Sequence, residues 1–176
     1  MPAISIREIT KRYASLAAVN NLCLDVEEGE ILGFLGLNGA GKTTMIRILL
    51  DLLRPTSGRA FIFDRDCQKE GLKARSSIGY LPGEMGIYGD LTGGEVLDLL
   101  AGLPGSPVGG KHRSEVQERL EFPDADLGRR WREYSTGMKR KLGLIQAFQS
   151  DPRLLILDEP TEGLDPLMPD SFYKLL

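Results

Sequence analysis

The 176-residue sequence predicts an α/β fold, and three observations carry that prediction. An apolar run, residues 31–35, leads directly into the glycine-rich segment Gly36-Leu37-Asn38-Gly39-Ala40-Gly41-Lys42-Thr43-Thr44, and a helical pattern follows it. A second run, Leu154-Leu155-Ile156-Leu157, has the unbroken apolar character of a strand buried on both faces of a parallel sheet. Between the two, residues 92–150 lose the strand pattern and read as a helical block set into the α/β core.

The elements follow in order. Ile4, Ile6 and Ile9 with Tyr13, then Val19, Leu22, Leu24 and Val26, predict two strands of near-alternating pattern. Glu27-Glu28-Gly29-Glu30 turns the chain into the run at 31–35, which is expected to be a buried strand. Met45, Ile46, Ile48, Leu49, Leu52 and Leu53 recur at helical spacing, so a helix is expected from Lys42 to Leu53, stopped by Pro55 and Gly58. Residues 59–63 and 77–81 predict further strands. Residues 94–103, 114–120 and 138–149 predict helices, and the proline- and glycine-rich stretch 104–110 predicts a loop. The organisation expected is one domain: a core over 1–91, a helical subdomain over 92–150 and a returning strand with its sequel over 151–176.

Composition narrows the function. The chain is 41% hydrophobic and 27% charged, which suits a globular domain with a sizeable core. Its net charge of -3 gives no overall basic field for nucleic acid or anionic lipid. The local basic clusters, Arg129-Arg130 with Arg132 and Lys139-Arg140-Lys141, are expected to be solvated helix faces. Cys23 and Cys67 have neither metal-ligand spacing nor the density of a disulfide framework, so a reducing cytosol is expected. The first residues lack a signal-peptide layout, and no apolar run approaches the ~20 residues that span a bilayer. Any membrane role is expected to run through a partner.

The segment from Gly36 to Thr44 fits G-x-x-x-x-G-K-[ST], with the flanking strand and helix that this phosphate-binding loop requires. Its glycines let backbone N–H groups turn inward as an anion nest. Lys42 supplies a cation for the β- and γ-phosphates, Thr43 a hydroxyl for Mg2+, and the helix N-terminus its positive dipole end. The chain is therefore expected to bind a nucleoside triphosphate. The run at 154–157 delivers Asp158 and Glu159, two carboxylates suited to holding a metal and polarising an attacking water.

Three more segments specify a family. Tyr134-Ser135-Thr136-Gly137-Met138-Lys139-Arg140-Lys141 precedes the Asp-Glu strand, Pro160-Thr161-Glu162-Gly163-Leu164-Asp165-Pro166 continues it, and Tyr13 lies upstream of the phosphate loop. In that order and spacing they resemble the ATPase subunit of ATP-binding cassette (ABC) transporters, over nearly the whole chain. The resemblance implies a P-loop NTPase core with an N-terminal antiparallel β subdomain and an inserted helical subdomain. It implies that Tyr13 stacks on adenine, although a strand-end tyrosine packed on the core is the alternative. Residues Gly36, Leu37, Asn38, Gly39, Ala40, Gly41, Lys42, Thr43 and Thr44 match the Walker A loop. Thr43 and Asp158 match the metal-binding positions, and Glu159 matches the general base or water-positioning residue. Ser135 and Gly137 match signature-motif donors that cap the γ-phosphate of ATP held by the opposite subunit, and Ser135 also reads as an ordinary N-cap. Residues 163–165 match the D-loop.

The same resemblance implies ATP and Mg2+ as ligands, a homodimer with shared ATP sites and a separate transmembrane permease. No nucleic-acid partner and no direct insertion into the membrane are expected. The Tyr-Ser-Thr-Gly-Met signature resembles drug- and antibiotic-efflux members, so the expected role is the ATPase of an exporter. The expected location is cytoplasmic, peripheral to the inner face of the membrane. The sequence departs from the family pattern at Gly83, where a glutamine is usual. Either Glu84 substitutes or the segment is a neutral linker. The family's switch histidine comes one strand after the D-loop, and His112, the single histidine, matches no catalytic position. The chain is expected to lack the C-terminal strands, which leaves a nucleotide-binding but hydrolysis-incompetent chain as one alternative. A non-transport ABC ATPase is the other.

Overall fold

The computed structural model describes residues 1–87, 89–102, 110–161 and 175. It divides into two compact units, Met1–Ser77 and Ile78–Leu176.

The first unit is an antiparallel sheet with one substantial helix. Strands β1 (Pro2–Tyr13) and β2 (Leu16–Glu27) form a hairpin, and β3 (Ser57–Ile62) and β4 (Arg65–Asp66) complete the order β2-β1-β3-β4. Ile6 and Ile9 are both buried although they lie three residues apart, which strict alternation forbids. A bulge resolves the conflict. From the Ile6–Leu24 pair to the Ile9–Leu22 pair, β1 advances one residue more than β2, and Glu8 takes a left-handed φ of 50°. Gly58 on β3 faces this bulge with φ 84°, and a Cβ there would run into the Glu8 carbonyl, so no other residue fits.

Helix α1 (Lys42–Leu49) buries Met45, Ile48 and Leu49. It ends four residues before the expected Leu53. Asp51 turns left-handed at φ 56°, and the amides of Leu52 and Leu53 both fold back onto the Arg47 carbonyl. An aspartate tolerates that conformation well enough to close a helix. Helix α2 (Gly71–Arg75) follows β4.

The buried strand expected at 31–35 does not form. Residues 30–37 have no regular structure, and the side chains of Ile31 and Leu35 are 74% and 92% exposed. A parallel strand buried on both faces takes its stability from ladder neighbours and covering layers. Among the described residues, no strand pairs with this segment.

The second unit packs helices on a short parallel pair. Strands β5 (Ile78–Leu81) and β6 (Leu154–Leu157) run in register, from Ile78 opposite Leu154 to Leu81 opposite Leu157. Helix α3 (Gly93–Ala101) starts from a capping box in which Thr92 and Glu95 bond each other's backbone amides. Helices α4 (Gly110–Arg119) and α5 (Asp124–Leu127) lead to a 3₁₀ turn at Trp131–Glu133 and then α6 (Thr136–Phe148). Leu97, Leu120, Leu142 and Ile145 are fully buried, with Phe122 and Tyr134 edge to face at 5.8 Å. Tyr134 donates its hydroxyl to the Asp126 carbonyl at 2.6 Å, and burial raises its pKa.

Candidate nucleotide site

The phosphate-loop residues lie in the first unit. Leu37 to Ala40 make a turn closed by the Ala40 amide on the Leu37 carbonyl at 3.0 Å. Gly39 and Gly41 follow at φ 83° and 90°. A side chain at Gly41 would strike the Ala18 carbonyl of β2, so the loop can pass this close to the hairpin only as glycine. Gly41 is also the N-cap of α1, and no side chain caps that helix end. The first helical amides are thus not taken up by an N-cap side chain, which suits an anion-binding helix start. Lys42 folds back over the loop, donating to the carbonyls of Gly36 at 2.6 Å and Leu37 at 3.0 Å. These are neutral acceptors, so the ammonium charge is available for exchange onto phosphate oxygens. Tyr13 stands at the end of β1, 48% exposed, with Lys11 Nζ 5.1 Å from its ring centroid. It is not a core tyrosine.

The carboxylates lie in the second unit. The Asp158 amide donates to the Leu81 carbonyl at 2.9 Å, so 82–84 and 158–160 leave the sheet side by side at the C-terminal ends of β5 and β6. Ligands of open parallel sheets bind at such ends. Asp158 is buried, whereas Glu159 is exposed with a left-handed φ of 54°. A Cβ on Gly83 would sit 3.6 Å from Asp158 Oδ2, which puts the atypical glycine beside the carboxylate. Glu84 is exposed. The oxygen donors of Thr43 and Asp158 are hard ligands of the type Mg2+ prefers.

Ser135 is the N-cap of α6, its Oγ accepting from the Met138 amide at 3.2 Å. The helix begins at Thr136, two residues before the sequence expectation, and Gly137 lies in its first turn. His112 stands 3.8 Å from Glu115 and 3.9 Å from Asp151. Residues 163–165, matched to the D-loop, lie outside the described residues.

One basic cluster is not the solvated face expected. Arg140 is 6% exposed. Its Nη1 donates to the carbonyls of Pro82 at 2.9 Å and Gly83 at 3.2 Å. Its Nη2 donates to Asp158 O at 2.6 Å and to Glu159 O, and its Nε to Pro160 O at 3.4 Å. Its neighbour Lys139 sits 5.5 Å from the centre of the Trp131 ring. The second cluster is paired at the surface: Arg129 with Asp126, and both Arg130 and Arg132 with Asp90.

Among the described residues no helix is long and apolar enough to cross a membrane. Residues 19–162 match the family model described as ABC transporter. The chain is 40% identical to a bacitracin transport ATP-binding protein of Bacillus licheniformis over 175 residues, which is 98% of this chain and 56% of that protein. It is 41% identical over 167 residues to a daunorubicin resistance ATP-binding protein of Streptomyces coeruleorubidus, covering 93% of this chain and 52% of that one. The chain thus spans about half the length of these curated relatives. A dimeric bacterial ABC transporter cassette superposes with a TM-score of 0.86 at 24% identity, over 98% of this chain and 80% of that one. With its phosphate loop, its carboxylate strand and its signature helix in family order, the chain belongs to the ATP-binding cassette family of ABC transporters.

Proposed function

We propose that this chain is the nucleotide-handling part of an ATP-hydrolysing subunit that powers a drug or antibiotic exporter. The observation that carries the reading is the glycine-shaped loop of the first unit, with Lys42 folded onto loop carbonyls and α1 opening without a side-chain cap. Residues Gly36 to Thr44 hold the ATP phosphates and Tyr13 stacks on the adenine, a contact worth ~1–3 kcal/mol. When bound, Mg2+ offsets phosphate charge, with Thr43 and Asp158 as its protein ligands. Glu159 orients or deprotonates the attacking water. Ser135 and Gly137 serve the γ-phosphate of a second copy bound head to tail. Closing and reopening of that dimer drives a separate membrane permease, which keeps the subunit cytoplasmic and peripheral. The antibiotic and drug in the two relatives' names, and the dimeric state of the superposed cassette, support this reading.

The test is a pair of variants of the full-length protein. Lys42→Ala abolishes ATP binding, because it deletes the cation facing the β/γ-phosphates; unchanged affinity overturns the assignment. Glu159→Gln keeps binding and lowers turnover by on the order of 10²–10³, the scale of one lost catalytic electrostatic group.

A further inference from the structure

We propose that Arg140 is a positioning residue for ATP cleavage: it ties the ends of β5 and β6 together and holds Glu159 in the backbone conformation from which its carboxylate acts. The proposal rests on the role given to Glu159 above. A guanidinium has five N–H donors in a fixed planar fork, and here five main-chain carbonyls, from Pro82, Gly83, Asp158, Glu159 and Pro160, receive them. The acceptors come from two separate segments, so one rigid group sets their relative position. These five acceptors are backbone carbonyls, so this set of bonds reads backbone geometry.

Two features make the clamp matter for chemistry. Glu159 is left-handed at φ 54°, a conformation that disfavours any side chain and persists only where its surroundings impose it. Arg140 bonds the carbonyls on both sides of that residue's amide-to-carbonyl unit, Asp158 O and Glu159 O, and so fixes the turn. The second feature is Gly83, which has no side chain with which to link 82–84 to the carboxylates. Its carbonyl, held by Arg140 at 3.2 Å, supplies that link through the main chain. A lysine at 140 keeps the buried charge but offers three donors on a flexible stem, so it cannot span both segments in one geometry.

The experiment is a double-mutant cycle in the full-length protein with Arg140→Lys and Glu159→Gln, following single-turnover phosphate release, the KM for ATP and thermal melting. Arg140→Lys is expected to lower kcat about tenfold or more at unchanged KM, the scale of a small misplacement of a catalytic group. On the Glu159→Gln background the same substitution is expected to change the residual rate by less than about twofold, because the group it positions is already disabled. If Arg140→Lys lowers the melting temperature enough to depopulate the folded state, Arg140→Gln replaces it in the same cycle. Effects that multiply in the double variant, or a wild-type kcat for the single one, overturn the role of Arg140. A wild-type rate for Glu159→Gln alone overturns instead the assignment of Glu159 on which the proposal rests.

Discussion

Cys23 and Cys67 occupy opposite surroundings within the first unit. Cys23 is exposed, its sulfur accepting from the Glu8 amide at 3.3 Å, whereas Cys67 is buried. Burial, reinforced by Asp66 and Asp51, raises the Cys67 thiol from 9.0 to about 12. The thiolate is the reactive form, so at pH 8 an alkylating reagent is expected to modify Cys23 alone, with Cys67 following only on unfolding. Mass analysis of iodoacetamide-treated native protein checks this; rapid double labelling would contradict the burial. The linkage has a sign. The folded state holds the Cys67 proton more tightly, so this contribution to stability is complete below about pH 9 and is lost as the pH rises towards 12. At this scale the sequence was partly legible. The glycines and Lys42 of the loop announced themselves by pattern, but Arg140 was hidden between two other basic residues. Helical spacing was the available signal, since Arg140 shares the buried face of α6 with Leu144 and Ala147.

Among the elements, α3 shows most directly what one side chain contributes. Thr92 accepts from the Glu95 amide, and the Glu95 carboxylate accepts from the amide and the hydroxyl of Thr92 at 2.8 Å. Thr92→Ala is expected to destabilise the protein by ~1 kcal/mol, the usual loss at an N-cap, measurable by urea unfolding at neutral pH. The Thr92 amide, with its hydroxyl next, holds the Glu95 carboxyl below its ordinary value. Its contribution is therefore present above the unfolded pKa and is lost as the pH falls through the folded one. Thr92→Ala keeps the amide and deletes the hydroxyl, so its gap to wild type narrows as the pH falls through that range by the hydroxyl's share alone; a constant gap would contradict the hydroxyl–carboxylate bond. Helices with periodic apolar residues were legible to within a few residues. The segment at 31–35 was not, because an unbroken apolar run records the burial a strand needs and leaves its neighbours unnamed. Here Ile31, Leu35 and Leu37 face solvent instead.

Across the whole molecule, the order of motifs was the most legible feature, because each carries its own spacing. The division at Ser77 was not legible, since contacts decide it and no change of composition marks it. The proposed assembly makes one demand at this scale. With Ser135 and Gly137 serving a second copy, Ser135→Arg leaves the ATP affinity of the monomer nearly intact and abolishes the ATP-dependent dimer of the Glu159→Gln protein. Sizing chromatography of the full-length double variant, with and without ATP, reads this out, and a dimer that persists rejects the role in trans. The division also bears on synthesis. Every strand pairing of the first unit lies within its own 77 residues. At ~5–20 residues per second of translation, the hairpin sheet has all its partners roughly 5–20 s before residue 176 is added. Through that interval residues 31–37 are exposed, as they remain in the folded unit.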